Sequence, residues 1–314
     1  MTTDPSAEAS GHLAPAHEGG PPAAPSHEEG VTVVVPAFNE EAGIAPTLAE
    51  VRGVLQGLGR PWELLVVDDG STDATAELAR EEGAEVVRLP RNRGYGAALK
   101  AGIARAGFDL VVITDADGTY PAEAIPALLD YASDFDMVVG ARTGASVHVP
   151  AARRPAKWLL GRLASYLAGQ EIPDLNSGLR VVRRGLVERY EHLLPSGFSF
   201  TTTITLAVLV NDGLVRWHPI DYRPRLGASK IRPFHAFDFL MLILRTVVFF
   251  NPLKVFLPAG AVLFLIGFAK FVWDLFVGNF SETVVMGFLG AVVVWCVGLL
   301  SDQIARTGLG PRAR

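Results

Sequence analysis

Two aspartates one residue apart close an apolar run in the segment LVVITDADGTYPAE, which covers residues 110–123. Carboxylates packed this closely repel each other unless a cation lies between them. Asp115 and Asp117 offer oxygen ligands of the kind that Mg²⁺ and Mn²⁺ prefer, and such ions commonly bridge protein carboxylates and a diphosphate. The alternative is an ordinary turn at a strand end, where Asp and Gly are also common.

Polar residues follow the other apolar runs in the same way. Asp68 and Asp69 could hydrogen-bond a base or ribose, or they could cap the next helix. Arg93 and Lys100 could neutralise phosphate charge, or form a solvated basic face. Gly94 would allow close approach of the backbone to a ligand, or merely a turn. Other polar residues that end or follow predicted strands are Asn39, Glu40 and Arg142. Several strands that end in polar residues at one sheet edge predict a binding site.

Short apolar runs alternate with helical patterns from residue 31 onward. We predict five strands, at residues 31–37, 62–70, 84–90, 109–118 and 136–142. Helices are predicted at residues 40–58, 95–106 and 121–131. Near-continuous apolar strands separated by helices are typical of a mostly parallel sheet covered on both faces, so the predicted fold class is α/β. Ligands bind such sheets beyond the carboxyl ends of the strands.

The charge of the chain is uneven. The formal net charge is -5, and residues 1–29 hold five of the 33 acids and no Lys or Arg, so the 28 remaining acids balance the 28 Lys and Arg. This tail is predicted to be disordered, and it lacks the basic start and apolar run of a secretory signal. The single cysteine, Cys296, cannot form an internal disulfide, and no basic tract indicates nucleic-acid binding.

The last third of the chain is predicted to associate with a membrane. Apolar runs at residues 253–273 and 283–300 are long enough to span a bilayer. An acidic loop separates them and arginines follow the second, which places both ends in the cytoplasm. The alternative is a pair of buried helices in a soluble domain. The predicted segments are a tail at 1–29, an α/β domain at 30–232, a membrane-surface helix at 233–251, two spans at 252–302 and a cytoplasmic tail at 303–314.

Four motifs occur in order along the α/β domain. They are VPAFNEE (35–41), VVDDGSTD (66–73), NRGYGAALKAG (92–102) and TDADGTYP (114–121). This set resembles the signatures of the inverting family 2 glycosyltransferases, which have the GT-A fold. Downstream, DLNSGLRVVRR (174–184) and YRPRLGASK (222–230) are similar to the polyprenyl-phosphate and dolichyl-phosphate hexose synthases. The paired C-terminal spans resemble those of the membrane-anchored bacterial members.

The resemblance implies a donor site built on the first four motifs. Asp115 and Asp117 would hold Mg²⁺ or Mn²⁺ on the nucleotide diphosphate, with Asp117 the closer ligand. The other implied contacts with the nucleotide sugar come from Pro36, Phe38, Glu40, Asp68, Asp69, Arg93, Gly94, Lys100 and Ala116. The position two after Asp117 is Thr119, where related mannosyl transferases often have a longer polar residue. We therefore expect the metal or sugar contacts at that position to differ from the family pattern.

The resemblance also implies an acceptor site. Arg142 would hold the acceptor phosphate together with Arg154 or Lys157, although the usual arginine and serine pattern for this phosphate is not matched cleanly. The residues that would close over both phosphates are Arg225, Ser229 and Lys230. With Asp117 and Arg142, these residues form the implied catalytic set.

The implied reaction is transfer of a hexose from GDP-mannose or UDP-glucose to a polyprenyl phosphate, with inversion. Because the acceptor phosphate is already anionic, no general base is needed to generate the nucleophile. The expected partners are the nucleotide sugar, the lipid and the membrane, and the anchored members imply homo-oligomers of unstated size. The expected location is the inner membrane, as a multi-pass protein with a cytoplasmic catalytic domain.

Three other functions are alternatives to this one. A processive polysaccharide synthase requires a Gln-x-x-Arg-Trp motif, and Gly213 stands where that glutamine should precede Arg216 and Trp217. Transfer to a lipid or protein hydroxyl would need a carboxylate base, and Asp174 is a candidate. A non-catalytic membrane scaffold with a nucleotide-sugar-binding domain would have no use for the Asp-x-Asp pair.

Overall fold

The structure, a computed structural model, describes residues 30–143, 161–162, 164–166, 168–226, 251–278 and 281–308, with single positions at 241 and 248. The predicted N-terminal tail and most of the predicted surface helix at 233–251 lie outside this part of the chain. Within it, the chain forms an α/β domain and a helical hairpin.

Seven strands form one sheet in the order β3-β2-β1-β4-β6-β5-β7. They are β1 Val31–Ala37, β2 Trp62–Asp68, β3 Glu85–Arg88, β4 Leu110–Ile113, β5 Met137–Arg142, β6 Arg180–Arg183 and β7 Val215–Ile220. β6 runs antiparallel to both β4 and β5, and the other paired strands are parallel. The predicted mostly parallel sheet is therefore confirmed, and the five predicted strands all point the same way.

Helices cover both faces of the sheet. They are α1 Ile44–Gln56, α2 Thr75–Glu81, α3 Tyr95–Arg105, α4 Ile125–Leu129, α5 Arg184–Tyr190 and α6 Phe200–Val210. Val33 of β1 belongs to the same core cluster as Leu48 of α1, whereas Val34 belongs to the opposite cluster with Leu99 of α3. Because successive β1 side chains enter different cores, the strand is apolar without alternation.

Three predicted strands end earlier than expected. β2 ends at Asp68 instead of residue 70, β3 at Arg88 instead of residue 90, and β4 at Ile113 instead of residue 118. Asp115 and Asp117 therefore lie in the turn beyond β4. Gly118 has a φ of 72° in this turn, a conformation that suits glycine and that a continuing strand does not adopt.

Two predicted helices also have different limits. The helix predicted at 121–131 consists of a 3₁₀ turn, Ala122–Ala124, followed by α4. Pro126 lies in the first turn of α4, where its missing amide hydrogen does no harm. The helix predicted from residue 40 begins at Ile44, after a turn.

Two long helices, α7 Leu253–Val277 and α8 Glu282–Gly308, form the C-terminal hairpin. Both are long and apolar enough to cross a bilayer, as the sequence predicted. Large apolar side chains such as Phe276 and Met286 are exposed, which suits contact with lipid rather than with water.

The hairpin is held by close packing and by a polar turn. A β-carbon on Gly287 would lie 2.8 Å from Gly267 Cα, so the two backbones touch where the helices cross. Asp274 accepts hydrogen bonds from Lys270 and from the amide and hydroxyl of Ser281. These bonds satisfy a carboxylate that is otherwise costly near a membrane.

Candidate active site

The carboxyl ends of β1, β2, β4 and β5 lie at one edge of the sheet, because these strands are parallel. β6 runs in the opposite direction and starts at this edge, so the residues just before β6 also lie at the carboxyl ends of the other strands. The polar side chains carried by this edge include Glu40, Asp69, Asp115, Asp117, Arg142 and Asp174. This edge is the candidate active site.

Asp115 is held from two sides. Tyr95 Oη donates a hydrogen bond to Asp115 Oδ1 at 2.9 Å. On the other side, a β-carbon on Gly178 would lie 2.7 Å from Asp115 Oδ2, so a side chain at this position would have to displace the carboxylate. Gly178 N donates in turn to Tyr120 Oη at 2.6 Å. The Asp115 carboxylate is thus held between the Tyr95 hydroxyl and the backbone at Gly178.

The two carboxylates of the Asp-x-Asp pair interact. Burial and the negative charge of Asp117 raise the pKa of Asp115 to about 6, while Tyr95 and the charges of Arg142 and Arg225 oppose the rise. Among the described residues, no group of three or more His, Cys, Asp or Glu could hold a metal. Two carboxylates that leave other ligand positions to phosphate and water match the way Mg²⁺ usually binds, so the donor set fits a divalent ion with a diphosphate.

Arg225 lies directly on this acid pair. Its Nη1 is 3.3 Å from Asp117 Oδ2, and its Nη2 pairs with Glu40. The other oxygen of Asp117 accepts a hydrogen bond from Thr119 Oγ1 at 2.6 Å. One guanidinium therefore bridges the acid after β1 and the second acid after β4.

Residues 222–226, which we call the strap, cross the turn that carries Asp117. Arg223 N donates to Thr119 O at 2.9 Å, and Leu226 N donates to Asp117 O at 3.0 Å. These two backbone hydrogen bonds register the strap against the turn. They also explain why Arg225, which lies between them, reaches Asp117.

Arg142, the last residue of β5, forms a two-pronged ion pair with Asp174. Its Nε and Nη2 donate to the two carboxylate oxygens at 2.7 and 2.8 Å, and its backbone amide donates at 3.0 Å. Its guanidinium carbon lies 5.1 Å from the centre of the Tyr222 ring. Burial lowers the pKa of Arg142, but the hydrogen bonds to Asp174 together with the charges of Asp174, Tyr120 and Tyr222 outweigh burial and leave the pKa raised. The site therefore holds a fixed cation at the tip of β5.

The two adjacent acids of the VVDDGSTD motif, Asp68 and Asp69, bind backbone amides. Asp68 Oδ1 accepts a hydrogen bond from Ser71 N at 2.8 Å. Asp69 accepts from Arg93 N at 2.7 Å and from Gly94 N at 2.8 Å. These bonds shape the loops beside the predicted nucleotide pocket. Direct contact of either acid with a base or ribose stays a prediction.

The loop before α6 packs onto the start of α3. Ala97 N donates to Ser196 O at 3.0 Å, and a β-carbon on Gly94 would lie 2.5 Å from the same oxygen. Lys100 Nζ donates to Leu194 O at 3.1 Å. The sequence interpretation gave Lys100 to phosphate charge and Gly94 to close approach of a ligand, and both roles stay predictions; in the structure both residues lie against this loop. The close approach at Gly94 is made by the protein's own backbone.

A family model named Glycosyl transferase family 2 matches residues 32–191, slightly more than half of the chain. The chain belongs to this family. A second model, the GtrB C-terminal hairpin, matches residues 251–307, which cover α7 and nearly all of α8. This family 2 glycosyltransferase thus combines the family's catalytic domain with a hairpin that has its own family model.

Two relatives match this glycosyltransferase over most of their length. A dolichyl-phosphate hexose transferase of Haloferax volcanii is 35% identical over 206 residues, which are 65% of this chain and 87% of the relative. An undecaprenyl-phosphate 4-deoxy-4-formamido-L-arabinose transferase of Pectobacterium atrosepticum is 30% identical over 313 residues, or 90% of each chain. Both names specify a polyprenyl phosphate.

A solved structure shares the architecture of the catalytic domain. It is glucosyl-3-phosphoglycerate synthase from Mycobacterium tuberculosis in complex with Mn²⁺, UDP-glucose and phosphoglyceric acid. The identity is 24% and the TM-score is 0.56, over 70% of this chain and 80% of that one. At this identity the likeness shows the fold alone, and it confirms the predicted GT-A fold.

The remaining predicted contacts of this glycosyltransferase differ in what they offer a ligand. Pro36 is buried in β1 opposite Val67, and the Ala116 side chain packs into the core on the α1 face. Phe38 is partly exposed at the edge, and the Arg93 side chain is exposed. The predicted residues that lie outside the described part of the chain are Arg154, Lys157, Ser229 and Lys230, whose roles stay predictions.

Sequence reasoning missed three parts of the site, Tyr95, Tyr120 and Gly178. Tyr95 lies in a recognised motif, but nothing local shows that its hydroxyl reaches Asp115. Gly178 lies in the DLNSGLR stretch, and the resemblance of that stretch to the polyprenyl-phosphate hexose synthases was the available signal. The sequence interpretation gives Asp174 only the role of a base, and it does not predict that Asp174 pairs with Arg142.

Proposed function

We propose that this protein transfers a hexose from GDP-mannose or UDP-glucose to a polyprenyl phosphate, with inversion at the anomeric carbon. The observation that carries the proposal is a fixed cation, Arg142, at the same sheet edge as the acid pair Asp115 and Asp117. The names of the two relatives support a polyprenyl phosphate as acceptor, and one of them supports a hexose.

Asp115 and Asp117 would hold Mg²⁺ or Mn²⁺ with the nucleotide diphosphate. The bound ion supplies positive charge to the departing diphosphate. Arg225 already lies beside Asp117, so its charge is close to the same leaving group. Arg93, exposed on the loop that Asp69 holds, would add a further cation. Stabilisation of developing negative charge is the main catalytic task left to these side chains.

The acceptor phosphate would be held by Arg142 in line with the anomeric carbon. Its oxygen is anionic at neutral pH, so attack requires no proton transfer. Asp174, the candidate base for a hydroxyl acceptor, already accepts two hydrogen bonds from the Arg142 guanidinium. This engagement favours a phosphate acceptor over a hydroxyl acceptor.

The hairpin would bring the catalytic domain to a lipid that does not leave the bilayer. Exposing a polyprenyl chain to water costs about 0.8 kcal/mol for each CH₂ group. Val255, near the start of α7, packs against a cluster in the catalytic domain that includes Leu206 and Leu209 of α6. We place the 30–232 domain on the cytoplasmic face of the cell membrane, because the loop between the spans is acidic and arginines follow the second span.

A donor panel tests the proposed function. Purified full-length protein in detergent receives Mg²⁺ or Mn²⁺, a polyprenyl phosphate and each of several GDP- and UDP-sugars. We expect a lipid-linked monosaccharide from one donor. The matching polyprenol, which has a hydroxyl in place of the phosphate, is the control acceptor. Transfer to the polyprenol but not to its phosphate would overturn the proposed acceptor.

Replacing Asp117 with alanine tests the metal assignment. Asp117→Ala should lower turnover roughly 100-fold or more, because it removes a metal ligand from the leaving-group site. The melting temperature should change little. Asp134→Ala, an exposed aspartate before β5, is the matched control and should keep wild-type turnover. Full activity of Asp117→Ala would remove the metal from this position.

A further inference from the structure

Asp174 is a buried acid at the active site to which the proposed reaction assigns no chemical step. Asp174 is only 4% exposed to solvent, and it lies 32 positions after Arg142 in the chain. Each of its carboxylate oxygens accepts a hydrogen bond from a different nitrogen of the Arg142 guanidinium. A planar pair of this kind fixes the plane of the guanidinium as well as its charge.

The pair leaves one edge of the guanidinium open. Nε and Nη2 of Arg142 donate hydrogen bonds to Asp174. Nη1 forms no hydrogen bond with the described residues, and it is not fully buried. The guanidinium carbon also lies over the Tyr222 ring, 5.1 Å from its centre. With two of the three nitrogens held by Asp174, the N–H groups of Nη1 point in a set direction.

Asp174 is itself fixed by the turn that contains it. Asn176 N donates to Asp174 Oδ1 at 3.3 Å, and the Ser177 hydroxyl donates to Gly140 O in β5. The same turn ends at Gly178, which packs against Asp115. A single short turn therefore holds the acceptor-side cation at one end and the donor-side acid at the other.

We propose that Asp174 is a positioning residue that orients Arg142, so that Nη1 meets the acceptor phosphate. The inference rests on the proposed function for the identity of that phosphate. A general base would need an oxygen open to the acceptor, and both Asp174 oxygens are occupied by Arg142. A phosphate nucleophile has no proton that must be removed.

Steady-state kinetics of Asp174→Asn separate positioning from base catalysis. The amide keeps the shape of the carboxylate but loses the second guanidinium contact and the charge. We expect the KM for polyprenyl phosphate to rise about tenfold, with the donor KM and the kcat at saturating acceptor changed less than about threefold. A base role predicts the reverse, a fall in kcat of about a hundredfold with the acceptor KM unchanged. That result would overturn the proposal.

Asp109→Asn is the matched control for this substitution. Asp109 forms an ion pair with Arg183 at 3.4 Å at the opposite edge of the sheet, so its loss removes the same chemistry from a remote site. We expect wild-type kinetics from this variant. An equal rise in acceptor KM in both variants would show a general structural effect and would overturn the positioning role.

A double variant keeps the test decisive if Asp174→Asn folds poorly. Arg142→Gln with Asp174→Asn replaces the ion pair by a neutral pair and leaves no unpaired charge. If Asp174 acts only through Arg142, adding Asp174→Asn to Arg142→Gln should not raise the acceptor KM further or lower kcat. A further hundredfold loss of kcat in the double variant would contradict the proposal.

Binding without turnover distinguishes failure of this inference from failure of the proposed function. A short-chain prenyl phosphate, with the matching prenol as control, is titrated into the full-length protein in detergent without donor. Asp174→Asn should weaken binding of the phosphate about tenfold and leave binding of the prenol unchanged. Equal phosphate binding by both proteins overturns the inference. If Asp174→Asn binds the prenyl phosphate more weakly but the wild-type protein transfers no sugar, only the proposed reaction is overturned.

Discussion

Gly178 has no room for a side chain, because a β-carbon there would lie 2.7 to 2.9 Å from the carboxylate atoms of Asp115. We expect Gly178→Ala to displace this carboxylate and to lower turnover at least tenfold, with a higher Mn²⁺ concentration needed for half-maximal rate. Turnover measured across a Mn²⁺ titration checks this expectation.

Gly185→Ala is the control for Gly178→Ala. Gly185 lies in α5, where a β-carbon would meet nothing within 4 Å, so alanine should keep full activity and add up to about 1 kcal/mol of stability. If Gly178→Ala kept the wild-type Mn²⁺ dependence, the contact with Asp115 would have no role in metal binding.

The sequence located the acids of the site and named Arg142 and Arg225, but it did not show which residues pair. Asp115 and Asp117 are two positions apart, so a local pattern reveals them together. Arg142 and Asp174 are separated by 32 positions, and Glu40 and Arg225 by 185. Pairs of this kind depend on how the strands are arranged in space. A single sequence carries no local trace of that arrangement.

The strap is an element whose position depends on surface ion pairs. Arg223 bonds Glu50 of α1 at 2.9 Å and Glu123 at 2.8 Å, with its side chain 39% exposed. Exposed pairs of this kind stabilise by about 0–1 kcal/mol each, so Arg223→Ala should barely change the melting temperature. It should still lower kcat/KM for the donor about threefold to tenfold, because the strap carries Arg225 to Asp117.

Arg80→Ala is the control for the strap. Arg80 pairs with Glu77 inside α2 at 3.7 Å and is similarly exposed, so its loss should leave kcat/KM unchanged. If Arg223→Ala also kept the wild-type value, the two backbone hydrogen bonds to the Asp117 turn would suffice to hold the strap.

β6 was missed in the sequence for a physical reason. The strand is only four residues long, RVVR, and it begins at a fully buried arginine. Arg180 is accommodated because Thr201 O and Thr205 Oγ1 each accept a hydrogen bond at 3.1 Å. The five predicted strands and both spans were found because their apolar runs are local signals, whereas β6 depends on its neighbours β4 and β5.

At the scale of the whole molecule, the hairpin links the catalytic domain to the bilayer. Gly287→Leu should force the two helices apart, because the Gly287 backbone touches Gly267. We expect a larger loss of transfer to polyprenyl phosphate in vesicles than to a short-chain prenyl phosphate in detergent. Gly290→Leu is the control, since the nearest atom to a β-carbon there is 3.9 Å away. Equal losses with both acceptors would mean that the crossing does not affect access to the lipid.

The reversed strand β6 has a geometric consequence for the reaction. Because β6 lies between β4 and β5, the tips of those two strands are separated by two inter-strand gaps, or roughly 10 Å. Direct neighbours would be half as far apart. In the proposed reaction, the donor diphosphate would lie beyond β4 and the attacking phosphate beyond β5, with the pyranose ring in the wider interval. β6 would then act as a spacer that sets the distance between leaving group and nucleophile.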